Sequence, residues 1–178
     1  MINITPEYRY FSHKYGLLRP VLAFFCNWKL NVQSYFEELK IKTSQPFHVC
    51  DITDSVRKAV DSSGISEGIA TLTSMHTTCA LTVNENEERL FSDIENYFLG
   101  MAPADAPYKH NDLHLRSNIP PDEPENAHSH LISMMLGNSE TVTIHKGSLV
   151  LGCYQAILLL ETDGPRERKI SLQILGAK

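Results

Sequence analysis

From about residue 38 onward the chain alternates apolar and polar positions, and this alternation gives way three times to helical spacing. Residues 38–41 and 47–49 read as short strands. Thr53 or Asp54 can cap a short helix in which Val56, Ala59 and Val60 recur at helical spacing, and Gly64 stops it. Residues 68–75 read as a strand, His76, Thr77 and Thr78 follow, and 79–83 resume an apolar strand pattern. A second helix is predicted over about 87–99, with Leu90, Phe91, Ile94, Tyr97 and Phe98 as its apolar stripe and Gly100 as its end. Residues 101–124 hold five of the nine prolines, so they form a loop, and one of that length in a compact domain is more often functional or disordered than a simple connection. A third helix follows. Asp122 is its expected N-cap, with Pro124 in the first turn and Glu125 completing a capping box. Ala127, Leu131, Met134 and Met135 are its expected buried stripe, with Gly137 as the stop. Runs 141–145, 149–161 and 169–175 read as strands, and Ile170, Leu172 and Ile174 alternate as in a half-buried strand. Asp163-Gly164-Pro165 is a turn between the last two runs, which are expected to form a hairpin.

Residues 1–37 follow no clear period, although they include Tyr8, Tyr10, Phe11, Tyr15, Phe24, Phe25 and the only tryptophan, Trp28. The predicted organisation is an N-terminal extension of unknown role over 1–37 and one domain over 38–178. A chain of 178 residues with 42% apolar content is long enough for one well-buried core. The net charge of −5 and the scattered basic residues argue against a nucleic-acid partner, since phosphate backbones call for clustered Lys and Arg. No apolar run is long enough to span a bilayer, so no membrane association is expected. The N-terminus lacks the pattern of a secretory signal. Cys26, Cys50, Cys79 and Cys153 form no C-x-x-C pair, and four reduced thiols suit a cytoplasmic protein.

Eight histidines is a high count for this length, and most lie between positions 76 and 145. Imidazole titrates near neutral pH and binds borderline metals. Asn126 and His130 are four residues apart on one helix face, whereas His128 lies on the other flank of the stripe, so His128 and His130 are not expected to share one small site. His76 stands at a strand junction beside two hydroxyls, and His110 and Asp112 lie in a loop able to fold over it. The spacing of His76, His110 and His130 matches no short metal motif. Glu85 reads either as a general base or as a helix N-terminal carboxylate, and Asp93 as a buried hydrogen-bond anchor. Gln155 sits in an apolar strand and needs hydrogen-bond partners. Arg166 and Arg168 read either as phosphate ligands or as a solvated face.

Five segments together resemble the UPF0047 (YjbQ) family. His76-Thr77-Thr78 through Glu85 resembles its HTT…E segment, Tyr108-Lys109-His110 its Y-x-H, and Asn126 through His130-Leu131 its N-x-x-x-H-L. Gly147 through Gln155 resembles G-x-L-x-L-G-x-W-Q, with Tyr154 in place of tryptophan, and Asp163 through Arg168 resembles D-G-P-R-x-R. The resemblance implies an α+β fold, mainly antiparallel sheet and sandwich-like with about three short helices, assembled as a homotrimer. It also implies a pocket with His76, His110, His130 and Glu85 as catalytic candidates, and Thr77, Thr78, Asn126, Gln155 and Arg166 as ligands of a small phosphorylated molecule. The three histidines are then candidate ligands of a divalent metal, zinc or magnesium. The family carries the label of a secondary thiamine-phosphate synthase, a transferase joining a pyrimidine pyrophosphate to a thiazole phosphate. A zinc-dependent hydrolase and a non-catalytic metabolite- or metal-binding protein are the alternative expectations.

Overall fold

The structure is a computed structural model that describes residues 32–178. Of the extension expected over 1–37, only 32–37 lie within the described residues, and there Gln33 already opens the first strand. In chain order the elements are β1 (Gln33–Lys42), β2 (His48–Asp51), α1 (Thr53–Ser63), β3 (Glu67–Ser74), β4 (Cys79–Glu85), α2 (Glu88–Met101), α3 (Ala127–Leu136), β5 (Ser139–His145), β6 (Ser148–Leu149), β7 (Gln155–Glu161) and β8 (Glu167–Ala177). Two short 3-10 turns, Lys109–Asn111 and Leu113–Leu115, interrupt the long loop.

The strands form two sheets, in the orders β1-β8-β3-β5-β6 and β2-β7-β4, and each pairing is antiparallel. Between them lies one core. Leu72, Val142, Ile144, Ile170, Leu172 and Ile174 come from the larger sheet, Cys79, Leu81, Ile157 and Leu159 from the smaller, and Val56, Ala59 and Val60 from α1. The expected alternation of Ile170, Leu172 and Ile174 thus places all three in this core. The outer face of the smaller sheet carries Ala156, Leu158 and Leu160, covered by Phe91, Ile94 and Phe98 of α2 and Leu136 of α3. Strand β7 is therefore buried on both faces, which is why it reads as an unbroken apolar run. Among the described residues no helix is long and apolar enough to cross a membrane.

Four local expectations are corrected. β7 and β8 do not form a hairpin, because both edges of β7 are already filled, by β2 and β4. The Asp163-Gly164-Pro165 turn instead carries the chain from the small sheet to the large one. Helix α3 starts at Ala127 and not near Asp122. Its first amide is capped from the long loop, by Asn111 Oδ1 accepting from the Ala127 N–H at 3.1 Å. Its buried face is Ala127, Ser129, Ile132 and Ser133, whereas Leu131, Met134 and Met135 are exposed. The small hydroxyls face inward because the sheet-to-sheet corner offers them partners: Ser129 Oγ donates to the Thr162 carbonyl, and Ser133 Oγ lies 3.4 Å from Thr162 Oγ1. Gly64 and Gly137 end α1 and α3 as expected, both with positive φ. Gly100 lies inside α2, which runs on to Met101.

Candidate functional site

The site forms where three pieces of chain meet: the β3–β4 junction, the start of α3, and the corner between β7 and β8. They enclose a cavity of about 390 Å³ lined by Met75, His76, Thr77, Thr78, Glu123, Pro124, Asn126, His130, Asp163, Arg166 and Arg168. A second cavity of about 430 Å³ shares His76, Thr77 and His130 with it and continues past Cys79, Ser133 and Met134.

Its rear wall is a buried ion pair. Arg168 and Glu161 are 3% and 0% exposed. Arg168 Nε donates to Glu161 Oε2 at 2.6 Å, and its Nη2 donates to Glu161 Oε1 and, at 3.0 Å, to Thr78 Oγ1. Thr43 Oγ1 donates to Glu161 Oε2 at 3.0 Å, and the Asp163 amide donates to Oε1 at 2.8 Å. Burial pushes the Glu161 carboxyl up, but the hydrogen bonds from Arg168 and the Asp163 amide, with the Arg168 charge, outweigh it and hold the carboxyl below its ordinary value. Buried charges persist when paired and fully hydrogen-bonded, as here.

In front of this wall Asp163 Oδ2 gathers three donors: Asn126 Nδ2 at 2.8 Å, Arg166 Nη2 at 2.9 Å and Thr78 Oγ1 at 3.3 Å. Arg166 Nε also donates to the Asp163 carbonyl at 2.7 Å, so its guanidinium is held against the turn with its edge toward the cavity. Among the described residues no hydrogen bond uses Nη1 of either arginine.

His76 Nε2 accepts the Lys169 backbone N–H at 2.8 Å. That bond requires a lone pair on Nε2, so the neutral ring carries its proton on Nδ1. Burial and the positive charges of Arg168, Lys169 and Arg166 push its pKa below the ordinary value, against the opposing pull of Glu161. Burial, then the neighbouring His110, does the same to His130. The cavity is thus flanked by two imidazoles whose neutral forms are favoured.

Of the expected site residues, His76, Thr77, Thr78, Asn126, His130 and Arg166 meet in this one cavity. His110 stands behind it, its ring edge-on to His130 with centroids 4.8 Å apart. His128 and His130 separate as expected: His128 Nε2 faces Ser129 Oγ at 3.2 Å and does not line the cavity. Glu85 and Gln155 are not brought to it. They pair with each other at the far ends of β4 and β7, roughly 20 Å along the strands from Cys79 and Glu161. Gln155 is exposed at the first position of β7 and finds its partner locally, accepting the Gly152 N–H at 2.8 Å. Asp93 and Asp112 are exposed and anchor nothing here, and Tyr154 is 73% exposed. Among the described residues no group of three or more His, Cys, Asp or Glu side chains is placed to hold a metal ion.

Asp163 and Glu161 were not among the expected site residues, and Arg168 was expected either as a phosphate ligand or on a solvated face, not in a buried ion pair. Arg168 had a readable signal: it lies two residues before Ile170, in step with the inward face of β8. Glu161 closes an apolar run, where a carboxylate needs a cationic partner.

The fold recurs in solved structures of one protein family. The model of the UPF0047 protein YjbQ-like family matches residues 37–177, and the chain belongs to that family. It is 41% identical over 145 residues to a UPF0047 protein of Methanothermobacter thermautotrophicus, covering 82% of this chain and 94% of that one. It is 32% identical over 139 residues to the UPF0047 protein YugU of Bacillus subtilis, covering 78% and 97%. A crystal structure of a YbjQ-like protein of unknown function from Sulfolobus solfataricus matches with a TM-score of 0.75 and 35% identity, over 82% of this chain and 99% of that one. These relatives bear the family designation and no activity, which overturns the expected function. Neither the thiamine-phosphate synthase reaction, nor the hydrolase, nor a non-catalytic metabolite- or metal-binding role comes with membership.

Proposed function

We propose that the corner cavity binds a small phosphorylated molecule through its phosphate. The observation that carries this reading is the inventory of polar groups around the cavity. Both Glu161 oxygens and Asp163 Oδ2 are engaged by donors from within the wall. As donors there remain Nη1 of Arg166 and of Arg168, the hydroxyl of Thr77 and the Nδ1–H of His76, while Glu123, which also lines the cavity, is held by Arg116 at 2.7 Å and Asp163 keeps Oδ1 as an acceptor. Arginine forks and hydroxyls around a half-enclosed space suit a phosphate better than a flat carboxylate or a cation. Isothermal titration calorimetry with inorganic phosphate checks it. Saturable one-site binding that weakens about tenfold in Arg166→Ala is the expected result. Heat no different from buffer dilution at millimolar phosphate removes the reading.

We also propose that the working unit is a homotrimer, in a cytoplasmic setting that keeps Cys50, Cys79 and Cys153 as the free thiols they are here. The ridge of Leu131, Met134 and Met135, 41%, 81% and 46% exposed, supports the assembly. These positions form an exposed apolar ridge on α3 opposite its hydroxyl-bearing buried side, and an exposed apolar ridge is a feature of surfaces covered by a partner. Sedimentation equilibrium is expected to give three chains per particle, and Met134→Glu to give one. A wild-type particle of one chain ends the proposal.

A further inference from the structure

The cavity wall is rich in donors, and one reachable acceptor breaks the pattern. Asp163 lines the cavity and commits one carboxylate oxygen to the wall. Oδ2 accepts from Asn126 Nδ2 at 2.8 Å, from Arg166 Nη2 at 2.9 Å and from Thr78 Oγ1 at 3.3 Å. Oδ1 accepts no hydrogen bond among the described residues. Turning the carboxylate over only exchanges two equal atoms, so one oxygen is always left over. That oxygen is not sealed in. The buried side-chain polar atoms without a partner among the described residues are His110 Nε2, Asn126 Oδ1 and His128 Nδ1, whereas Asp163 Oδ1 is open to solvent. The other ionisable groups around the cavity are Arg166, Arg168, His76, His130 and Glu123, the last held by Arg116 at 2.7 Å. An anion seated among the free donors of this wall therefore meets one oxygen of its own sign. Two such oxygens repel when bare, and a proton between them turns the contact into a charge-assisted hydrogen bond, the stronger kind.

We infer that the cavity takes a phosphate that still carries a proton, and that Asp163 Oδ1 accepts from its P–O–H. This rests on the phosphate-binding reading above and narrows the ligand to inorganic phosphate or a monoester in its singly protonated form. Sulfate and phosphodiesters, which have no such proton, are refused. Asp163 is then a specificity-determining residue with a separate task for each oxygen. Oδ2 orders Arg166 and Asn126 in the wall, and Oδ1 reads the proton on the ligand.

Two anions that differ by one proton test this in the full chain. In mildly alkaline buffer inorganic phosphate and sulfate share charge and tetrahedral shape, and only phosphate keeps an O–H. Calorimetric titration is run with both, on wild type and on Asp163→Asn. The expected result is that wild type prefers phosphate by at least about tenfold. In Asp163→Asn the amide oxygen stays with the three wall donors, so the NH2 group replaces Oδ1 and turns the acceptor into a donor. Losing the charge opposite Arg166 alters both affinities, so the ratio is what is read. It is expected to fall to about one or below. Equal affinities in wild type, or tighter sulfate, overturn the inference while leaving anion binding in place. A preference for phosphate that survives in Asp163→Asn overturns the assignment to Asp163. Binding of neither anion removes the phosphate reading and the inference with it. If Asp163→Asn does not fold, the wild-type ratio alone decides whether the proton is selected.

Discussion

Arg168→Ala is expected to lower the unfolding free energy by about 3–5 kcal/mol, because it strands a carboxylate that water cannot reach. For a domain of this size that corresponds to a melting temperature roughly 10 °C lower. Glu161 is fully buried, and with Arg168 gone its remaining donors are Thr43 Oγ1 and the Asp163 amide. Arg166→Ala is the contrast. Its guanidinium is 42% exposed in an ion pair with Asp163, so its loss is expected to cost about 1 kcal/mol or less while weakening phosphate binding. The pH dependence distinguishes the buried pair further. In wild type the Glu161 carboxyl sits below its ordinary value, so its contribution to stability is complete above that value and is lost as pH falls through the lower folded one. In Arg168→Ala burial dominates and the carboxyl rises, so the variant is expected to lose stability as pH increases from 5 to 8. Urea unfolding of both proteins across that range measures it. Parallel pH profiles, or a loss no greater than that of Arg166→Ala, would show that the pair does not hold the corner.

The same pair shows which parts of the fold were legible from the chain and which were not. Periodicity located three helices and the principal strands because burial on one face imposes it: Val56, Ala59 and Val60 on α1, and Ile170, Leu172 and Ile174 on β8, lie where their spacing puts them. Carried two residues back, that rule also turns Arg168 inward, against the ordinary expectation that a charge beside a turn is solvated. Pairing was less legible. A turn signal at 163–165 looks the same whether it folds a strand back on its neighbour or hands it to a second sheet, and only the occupied edges of β7 decide. In α3 the preference for burying large apolar groups fails, because the corner contains Thr162, whose hydroxyl and carbonyl select Ser129 and Ser133 over Met134 and Met135. Of the candidate site, the residues in the HTT, N-x-x-x-H and D-G-P-R segments converge, since each segment is a junction at the same end of the sandwich. Glu85 closes the HTT…E segment and Gln155 the G-x-L-x-L-G segment, but both lie one strand length away, a distance that motif order does not encode.

The sharpest test of how the corner serves the cavity is Gly164→Ala, a change of one methyl group. A Cβ at Gly164 would collide with the Gln45 carbonyl oxygen and stand 2.8 Å from Glu161 Cγ and 3.1 Å from Thr43 Oγ1. The first of these is backbone. The Gly164 amide is also tied to the Pro46 carbonyl at 3.0 Å, so the turn cannot yield without releasing that bond. Destabilisation of about 3 kcal/mol is expected, at the upper end for overpacking. The turn must also swing outward, and Asp163 and Arg166 flank Gly164 and Pro165. Their movement undoes the shared contact that holds Asn126, Thr78 and Arg166 around one carboxylate oxygen, so phosphate affinity is expected to fall by more than tenfold, through about 1.4 kcal/mol or more of lost positioning. Gly100→Ala supplies the control: it lies inside α2 with nothing within 4 Å of the added carbon, and alanine there is expected to stabilise by up to about 1 kcal/mol and leave binding unchanged. Chemical unfolding and phosphate titration of the two variants side by side make the comparison. Wild-type affinity in Gly164→Ala would mean that the cavity does not depend on this turn.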